Sequence, residues 1–177
     1  MQLYILRHAI AVPRGTPGYP NDDRPLTEEG IAKMTEGAKA IKETAGSFDL
    51  IISSPLIRAL DTAKITAEAT RYENQIIITE HLLPGSPQRT LFKFIADYKH
   101  LEQILLVGHE PHLGFIASKL IGIDDSVIEF KKGGVCRIDL DDMPPKKNGK
   151  LIWLLQPKQL RLISEKITDT NQSAADD

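Results

Sequence analysis

Residues able to do chemistry recur in one setting along this chain, just after a short run of apolar residues. Leu3-Tyr4-Ile5-Leu6 is followed at once by Arg7 and His8. Ile51-Ile52 leads through Ser53-Ser54-Pro55 to Arg58, Ile76-Ile77-Ile78-Thr79 leads to Glu80, and Ile104-Leu105-Leu106-Val107 leads through Gly108 to His109. Unbroken apolar runs of this length suit strands buried on both faces, and a long cation or an imidazole is costly inside such a layer. At the end of a strand the same side chains are useful, because open α/β sheets bind their ligands beyond the carboxyl ends of the strands. Taken singly, Arg7 and His8 also read as a polar strand cap facing water, and Arg58 as a solvated surface arginine. Their recurrence at equivalent strand ends favours a shared crevice.

Two arginines and two histidines in one crevice fit a phosphoryl group. A guanidinium donates in a planar fork that matches phosphoryl oxygens, so Arg7 and Arg58 together can hold three equatorial oxygens while charge redistributes during transfer. A histidine can then serve as nucleophile, provided that its imidazole is neutral with one lone pair free and the other nitrogen held by an acceptor. Nearby guanidinium charge favours the neutral form. Other chemistries fit less well. His109 and His112 are three apart on a proline-broken helix start with no third ligand in view, so no metal site is expected. Neither Ser53 nor Ser54 stands in a Gly-x-Ser-x-Gly elbow. No Gly-Lys-Ser or Gly-Lys-Thr follows a strand, so no P-loop is present, and no cofactor is expected.

The elements that must position these residues alternate between strand and helix. After the first strand, Pro13 to Pro25 is rich in proline, glycine and aspartate and reads as a surface loop. Thr27 is placed to cap a helix with Glu28 and Glu29 in its first turn; Ile31, Met34, Ala38, Ile41 and Ala45 recur at helical spacing, and Gly46 ends it. A strand over Phe48 to Ile52 runs into Pro55 at the first position of a second helix, with Leu56, Leu60, Ala63 and Ala67 on its apolar face. A third strand, Ile76 to Thr79, precedes a Leu-Pro-Gly turn and a helix begun by Ser86-Pro87. A fourth, Gln103 to Val107, precedes a helix carrying Leu113, Ile116, Leu120 and Ile121. Val135 to Leu140 then alternates apolar and polar residues and pairs with Leu151 to Leu155 as a hairpin, so the sheet is expected to be mixed. From about Ser164 the chain loses apolar residues and reads as a frayed tail.

At 177 residues, with 41% hydrophobic and 26% charged residues, the chain suits one domain with a sizeable core, expected over residues 1–163, followed by a flexible tail over 164–177. A net charge of -2 gives no electrostatic reason to expect nucleic acid as a partner. No apolar run approaches membrane-spanning length, so no membrane partner is expected either. The N-terminus does not resemble a secretory signal. The lone Cys136 rules out an intrachain disulfide and fits a reducing cytoplasm, where we expect the protein to act; as a thiol it reads as core rather than catalyst.

Three motifs in order carry a resemblance: Leu6-Arg7-His8-Ala9, Ser53-Ser54-Pro55-x-x-Arg58-Ala59-x-x-Thr62 and Val107-Gly108-His109-Glu110-Pro111. Together they resemble the histidine phosphatase superfamily, the phosphoglycerate-mutase-like fold. Arg24-Pro25-Leu26-Thr27-x-x-Gly30, the short length and Trp153-x-x-x-Pro157 look like its small SixA-type phosphohistidine phosphatases, over Met1 to about Leu162. The resemblance implies a three-layer α/β/α sandwich whose mostly parallel sheet has one antiparallel strand. It implies that His8 takes the phosphoryl group, Arg7 and Arg58 clamp it, His109 hydrogen-bonds it, and water then discharges the phosphohistidine intermediate. It also makes Arg24 a further phosphate contact. In larger relatives a glutamate after the third strand protonates the leaving oxygen, which would make Glu80 the acid, although the sequence around it matches poorly. Ala9 departs from the glycine that commonly follows the nucleophile.

The implied activity is removal of phosphate from a histidine-phosphorylated phosphorelay or phosphotransfer protein. Short strand-to-helix connections leave the site open enough to admit a side chain of another protein. The alternatives are a broad small-molecule phosphomonoesterase and a phosphoprotein-binding module without turnover. Nothing in the sequence sets the oligomeric state.

Overall fold

In a computed structural model of the chain, residues 1–19 and 22–173 are described, with side chains as far as 170; residues 20, 21 and 174–177 lie outside the described residues. Strands β1 (Gln2–Arg7), β2 (Leu50–Ser53), β3 (Ile77–Ile78), β4 (Gln103–Gly108), β5 (Val135–Asp139) and β6 (Lys150–Leu155) form one six-stranded sheet in the order β3-β2-β4-β1-β5-β6. Neighbours among β3, β2, β4 and β1 are parallel, and β5 is antiparallel to both β1 and β6. One strand therefore opposes the rest, as expected. The hairpin β5 and β6 carries an irregularity between Arg137 and Ile138.

Five helices cover the sheet: α1 (Glu28–Ala45), α2 (Ile57–Thr70), α3 (Gln88–Ala96), α4 (His112–Leu120) and α5 (Pro157–Ser173). Alternation along β1 explains the two cores. Leu3 and Ile5 join α3 and α4 residues such as Leu91, Ile95, Leu113 and Ile116, while Tyr4 and Leu6 join Met34, Ile41, Ala59, Ala63 and Leu160 from α1, α2 and α5. The result is an α/β/α sandwich. Each fully buried Leu or Ile contributes about 1.5–3 kcal/mol, so the apolar runs that form β1 and β4 readily offset the cost of seating polar residues at their ends. Cys136 is fully buried in the first of these cores, and burial pushes its thiol pKa up.

Several elements differ from their expected form. Helix α2 begins at Ile57 with Leu56 as its cap, not at Pro55. Its buried face is Arg58, Ala59, Thr62, Ala63, Thr66, Ala67 and Thr70, whereas Leu56 and Leu60 are half-exposed. The threonines can sit inside because each hydroxyl donates to a carbonyl one turn back, as Thr62 does to Arg58, Thr66 to Thr62 and Thr70 to Thr66. Ile31, assigned to the apolar face of α1, is exposed. The frayed tail expected from Ser164 is helix α5 as far as Ser173, because Leu160 and Ile163 pack on the core and Ser164 donates to Glu36 Oε2 across to α1.

The loop from Pro13 to Pro25 is irregular in its described residues and is closed at its base by an antiparallel bridge between Ala11 and Leu26. Thr27 caps α1 by accepting from the Gly30 N–H at 3.0 Å, with Glu28 and Glu29 in the first turn and Gly46 ending the helix at a positive φ of 79°. Gly30 has a second reason to be glycine. A β-carbon there would lie 2.0 Å from the Ile10 carbonyl oxygen, so α1 can approach the end of β1 only without one.

Candidate active site

Register brings the two histidines together. Strands β1 and β4 pair Arg7 with Gly108, so the next residue on each strand is His8 on one and His109 on the other, with ring centroids 5.0 Å apart. The His8 N–H donates to the Gly108 carbonyl, and the Ser54 N–H beyond β2 donates to the Val107 carbonyl. The ends of β1, β2 and β4 are thereby fixed side by side.

His8 is 6% exposed, and its Nδ1 lies 2.7 Å from the Ala9 carbonyl oxygen. A carbonyl can only accept, so the proton sits on Nδ1 and the lone pair on Nε2. This is the acceptor that a nucleophilic histidine requires. Burial lowers its pKa to about 3, with Arg58, Arg7 and Lys132 adding to the effect against the opposing bond to Ala9. Guanidinium charge is thus the lesser cause of neutrality and desolvation the greater. His109 is 2% exposed, and its pKa is lowered to about 2, first by burial and then by His8 and Arg58. Its Nε2 is 2.8 Å from the Ser54 hydroxyl.

Arg7 donates from Nη1 to the Phe130 carbonyl at 2.6 Å, and the Phe130 N–H in turn donates to Glu110 Oε1 at 2.9 Å. Arg58, only 2% exposed, reaches out of α2 to the loop, donating from Nη1 to the Asp22 carbonyl and from Nη2 to Asp22 Oδ2, both at 2.8 Å. It is not the solvated surface arginine that position one turn into a helix would suggest. Arg24 donates from Nε to Asp22 Oδ1 at 2.8 Å and from Nη1 to the Val12 carbonyl, so it shares an anion with Arg58. Among the described residues, the buried side-chain nitrogens without a partner are Arg7 Nε, Arg58 Nε and His109 Nδ1. All belong to this one cluster.

Glu80 stands apart from these four. It opens a single 3-10 turn, Glu80–Leu82, after β3, its side chain is exposed, and it makes no hydrogen bond or ion pair with Arg7, His8, Arg58 or His109.

Three contributors escape a reading by strand ends. Thr62 accepts from the Ala9 N–H at 3.0 Å and donates to the Arg58 carbonyl at 2.7 Å, tying the turn after His8 to the helix that carries Arg58. Its place two residues past Ala59-Leu60, inside the second motif, was the available signal. Ser54 is no nucleophile but the partner of His109. Asp22 gave no signal, since one acidic residue in a polar loop is unremarkable by itself. Among the described residues, no cluster of three or more His, Cys, Asp or Glu could hold a metal ion, and His112 is hydrogen-bonded through Nε2 to the His81 carbonyl.

Comparison with known proteins places the chain among relatives of one kind. The family described as "Histidine phosphatase superfamily (branch 1)" matches residues 3–83. An uncharacterized protein of Picosynechococcus sp. strain PCC 7002 is 31% identical over 170 residues, covering 90% of this chain and 99% of that one. The solved structure of the protein histidine phosphatase SixA with tungstate superposes at a TM-score of 0.80 with 21% identity, over 90% of this chain and 99% of that chain. The putative phosphohistidine phosphatase SixA from Agrobacterium tumefaciens does so at 0.74 with 26% identity, over 88% and 97%. The chain belongs to the histidine phosphatase superfamily, whose members are phosphatases, and its architecture is that of the SixA type. Its substrate accordingly bears phosphate.

Proposed function

We propose that the protein is a phosphohistidine phosphatase acting on histidine-phosphorylated phosphorelay or phosphotransfer proteins. The observation that carries this reading is the tautomer of His8: a buried, neutral imidazole whose Nδ1–H is held by the Ala9 carbonyl, leaving Nε2 to attack. In the first step Nε2 of His8 forms a bond to phosphorus while the phosphorus–nitrogen bond of the substrate histidine breaks. Arg7, Arg58 and Arg24 hold the phosphoryl oxygens, and His109 donates to one of them. In the second step water attacks the same phosphorus and His8 leaves with its lone pair restored.

The exposed position of Glu80, which makes no hydrogen bond with His8, favours phosphohistidine over a phosphoester. A substrate imidazole is a far better leaving group than an alkoxide and needs less proton donation. No metal or cofactor has a role in this scheme. The buried free thiol of Cys136 fits a reducing compartment, and we place the activity in the cytoplasm.

The deciding experiment offers purified protein a phosphorylated histidine-phosphotransfer domain, sugar phosphates and phosphoglycerate, with acid-labile label on the enzyme followed at short times. The expected result is turnover of the first substrate with label on His8, and no label on His8→Ala. Turnover confined to the small phosphoesters would make the protein a small-molecule phosphomonoesterase. Phosphate binding without label on the wild type would make it a binding module.

A further inference from the structure

An anion already sits on the arginines assigned to phosphate. The Asp22 carboxylate accepts from Arg58 Nη2 and Arg24 Nε, both at 2.8 Å, and from Arg14 Nη2 at 3.3 Å, while its backbone carbonyl accepts from Arg58 Nη1 at 2.8 Å. The side chain is 25% exposed against 3% for Arg58 and 11% for Arg24, so it lies over them from the solvent side. Its backbone is in the left-handed region, with φ at 61°, a conformation that aspartate tolerates better than most residues and that turns the carboxylate in towards Arg58. Burial by itself would raise the Asp22 pKa, but hydrogen bonds from Arg24 and Arg14 and the charge and hydrogen bond of Arg58 outweigh it and hold the group ionised.

We propose that Asp22 is a specificity-determining residue, an internal anion seated on Arg58 and Arg24 that an incoming phosphoryl group must displace. This rests on the reading of those arginines as the phosphate clamp. A carboxylate and a phosphoryl group present the same kind of oxygen to a guanidinium fork, and the Nη2 and Nη1 donors of Arg58 cannot serve both at full strength. Among the described residues the hydrogen bonds of Asp22 go to Arg58, Arg24 and Arg14 and none goes to Arg7 or His8, although its charge reaches His109, so it covers the Arg58 side of the clamp. Displacing it sets a threshold. A phosphoryl dianion, which engages Arg7 and Arg58 with separate oxygens, exceeds that threshold, whereas a singly charged anion offers Arg58 no more than Asp22 already does. The residue therefore selects for phosphoryl groups and weakens retention of the product, inorganic phosphate.

The test measures binding of inorganic phosphate and of acetate to wild type, Asp22→Asn, Asp22→Ala and Arg58→Ala by calorimetry, alongside kcat and KM on a small phosphoramidate. Phosphate affinity is expected to rise on the order of tenfold in both Asp22 variants, corresponding to one displaced charge-assisted contact, with acetate gaining measurable affinity and KM falling more than kcat changes. Unchanged or weaker phosphate binding in both Asp22 variants overturns the proposal, because it makes Asp22 a support for the arginines rather than a competitor. Phosphate binding that Arg58→Ala does not reduce overturns the clamp as well. Failure to act on a phosphorylated histidine-phosphotransfer domain would refute the substrate assignment and leave these binding results standing, so the two readings fail separately.

Discussion

At the scale of single residues, the site depends on hydrogen bonds that fix how each functional side chain is presented. Ser54 and Thr62 touch no reacting atom in the proposed chemistry, yet one holds the His109 ring and the other joins Ala9 to Arg58. Thr62→Val would leave the buried Ala9 N–H without an acceptor and is expected to destabilise the fold by about 1–3 kcal/mol. Urea unfolding reads that loss, and kcat should fall with it because the turn after His8 loosens. Ser54→Ala is expected to reduce kcat/KM about tenfold and to destabilise the fold by about 1–3 kcal/mol as well, since it leaves the buried His109 Nε2 without a partner and removes the hydroxyl that accepts from the Leu56 N–H. Unaltered kcat/KM in Ser54→Ala would show that the hydroxyl does not set the presentation of His109. Glu80→Gln should leave hydrolysis of a phosphoramidate within about twofold of wild type, in line with the exposed position of Glu80 and the weak demand of an imidazole leaving group for an acid. A loss of the same size on a phosphoramidate and an alkyl phosphate would restore Glu80 as the general acid.

At the scale of elements, the contact between α1 and the end of β1 sets how close the Arg24-Pro25-Leu26-Thr27 segment comes to the site. The Thr27 N–H donates to the Ile10 carbonyl, Thr27 caps α1, and the missing side chain at Gly30 lets the helix settle onto Ile10. Gly30→Ala forces a β-carbon against a backbone oxygen that cannot swing aside. A destabilisation of about 1–3 kcal/mol is expected, as for other overpacked sites, together with weaker phosphate binding as Arg24 moves away. A stable Gly30→Ala protein with unaltered phosphate affinity would show that α1 does not position Arg24. The segment from Phe130 to Gly134 plays a matching part on the other side, where its backbone accepts from Arg7 and donates to the Arg7 and His8 carbonyls.

At the scale of the whole molecule, burying two histidines in neutral form makes stability depend on pH. In the unfolded chain both would titrate near their ordinary value of about 6.5, whereas in the fold burial lowers them to about 3 and about 2. Below about pH 6.5 the unfolded state therefore binds more protons than the folded state. The stability associated with neutral His8 and His109 is complete above that pH and is lost progressively as the pH falls towards 3. The urea midpoint should drop between pH 7 and pH 4.5. In His8→Asn and His109→Asn, each compared with wild type over the same range, the drop should be shallower because one fewer proton is taken up on unfolding. A parallel decline in all three proteins would show that other groups control acid unfolding. Catalysis follows the same sign, since a protonated His8 has no lone pair on Nε2 and kcat/KM is expected to fall as the pH falls.

The strands, most helices and the convergence of Arg7, His8, Arg58 and His109 at one end of the sheet were legible in the sequence, for a simple physical reason. A strand buried on both faces must be a continuous apolar run, so Arg7, His8 and His109 stood out as polar residues placed where such runs stop, and Thr27 and Gly46 marked the ends of α1 through local backbone requirements. Arg58 was legible by its motif, but the buried face of α2 was not, because threonines that satisfy their hydroxyls within the helix look polar in sequence and behave as core in the fold. Helix α5 was not read from the sequence, and its part from Ser164 was taken for a frayed tail, because its support comes from α1 and not from its own composition. Only the tertiary structure decided which nitrogen of His8 carries the proton, that burial more than charge keeps it neutral, that Glu80 stays apart, and that Asp22 lies on Arg58. Each of these depends on contacts between residues distant in sequence or on the water that folding excludes, and neither is written in local composition.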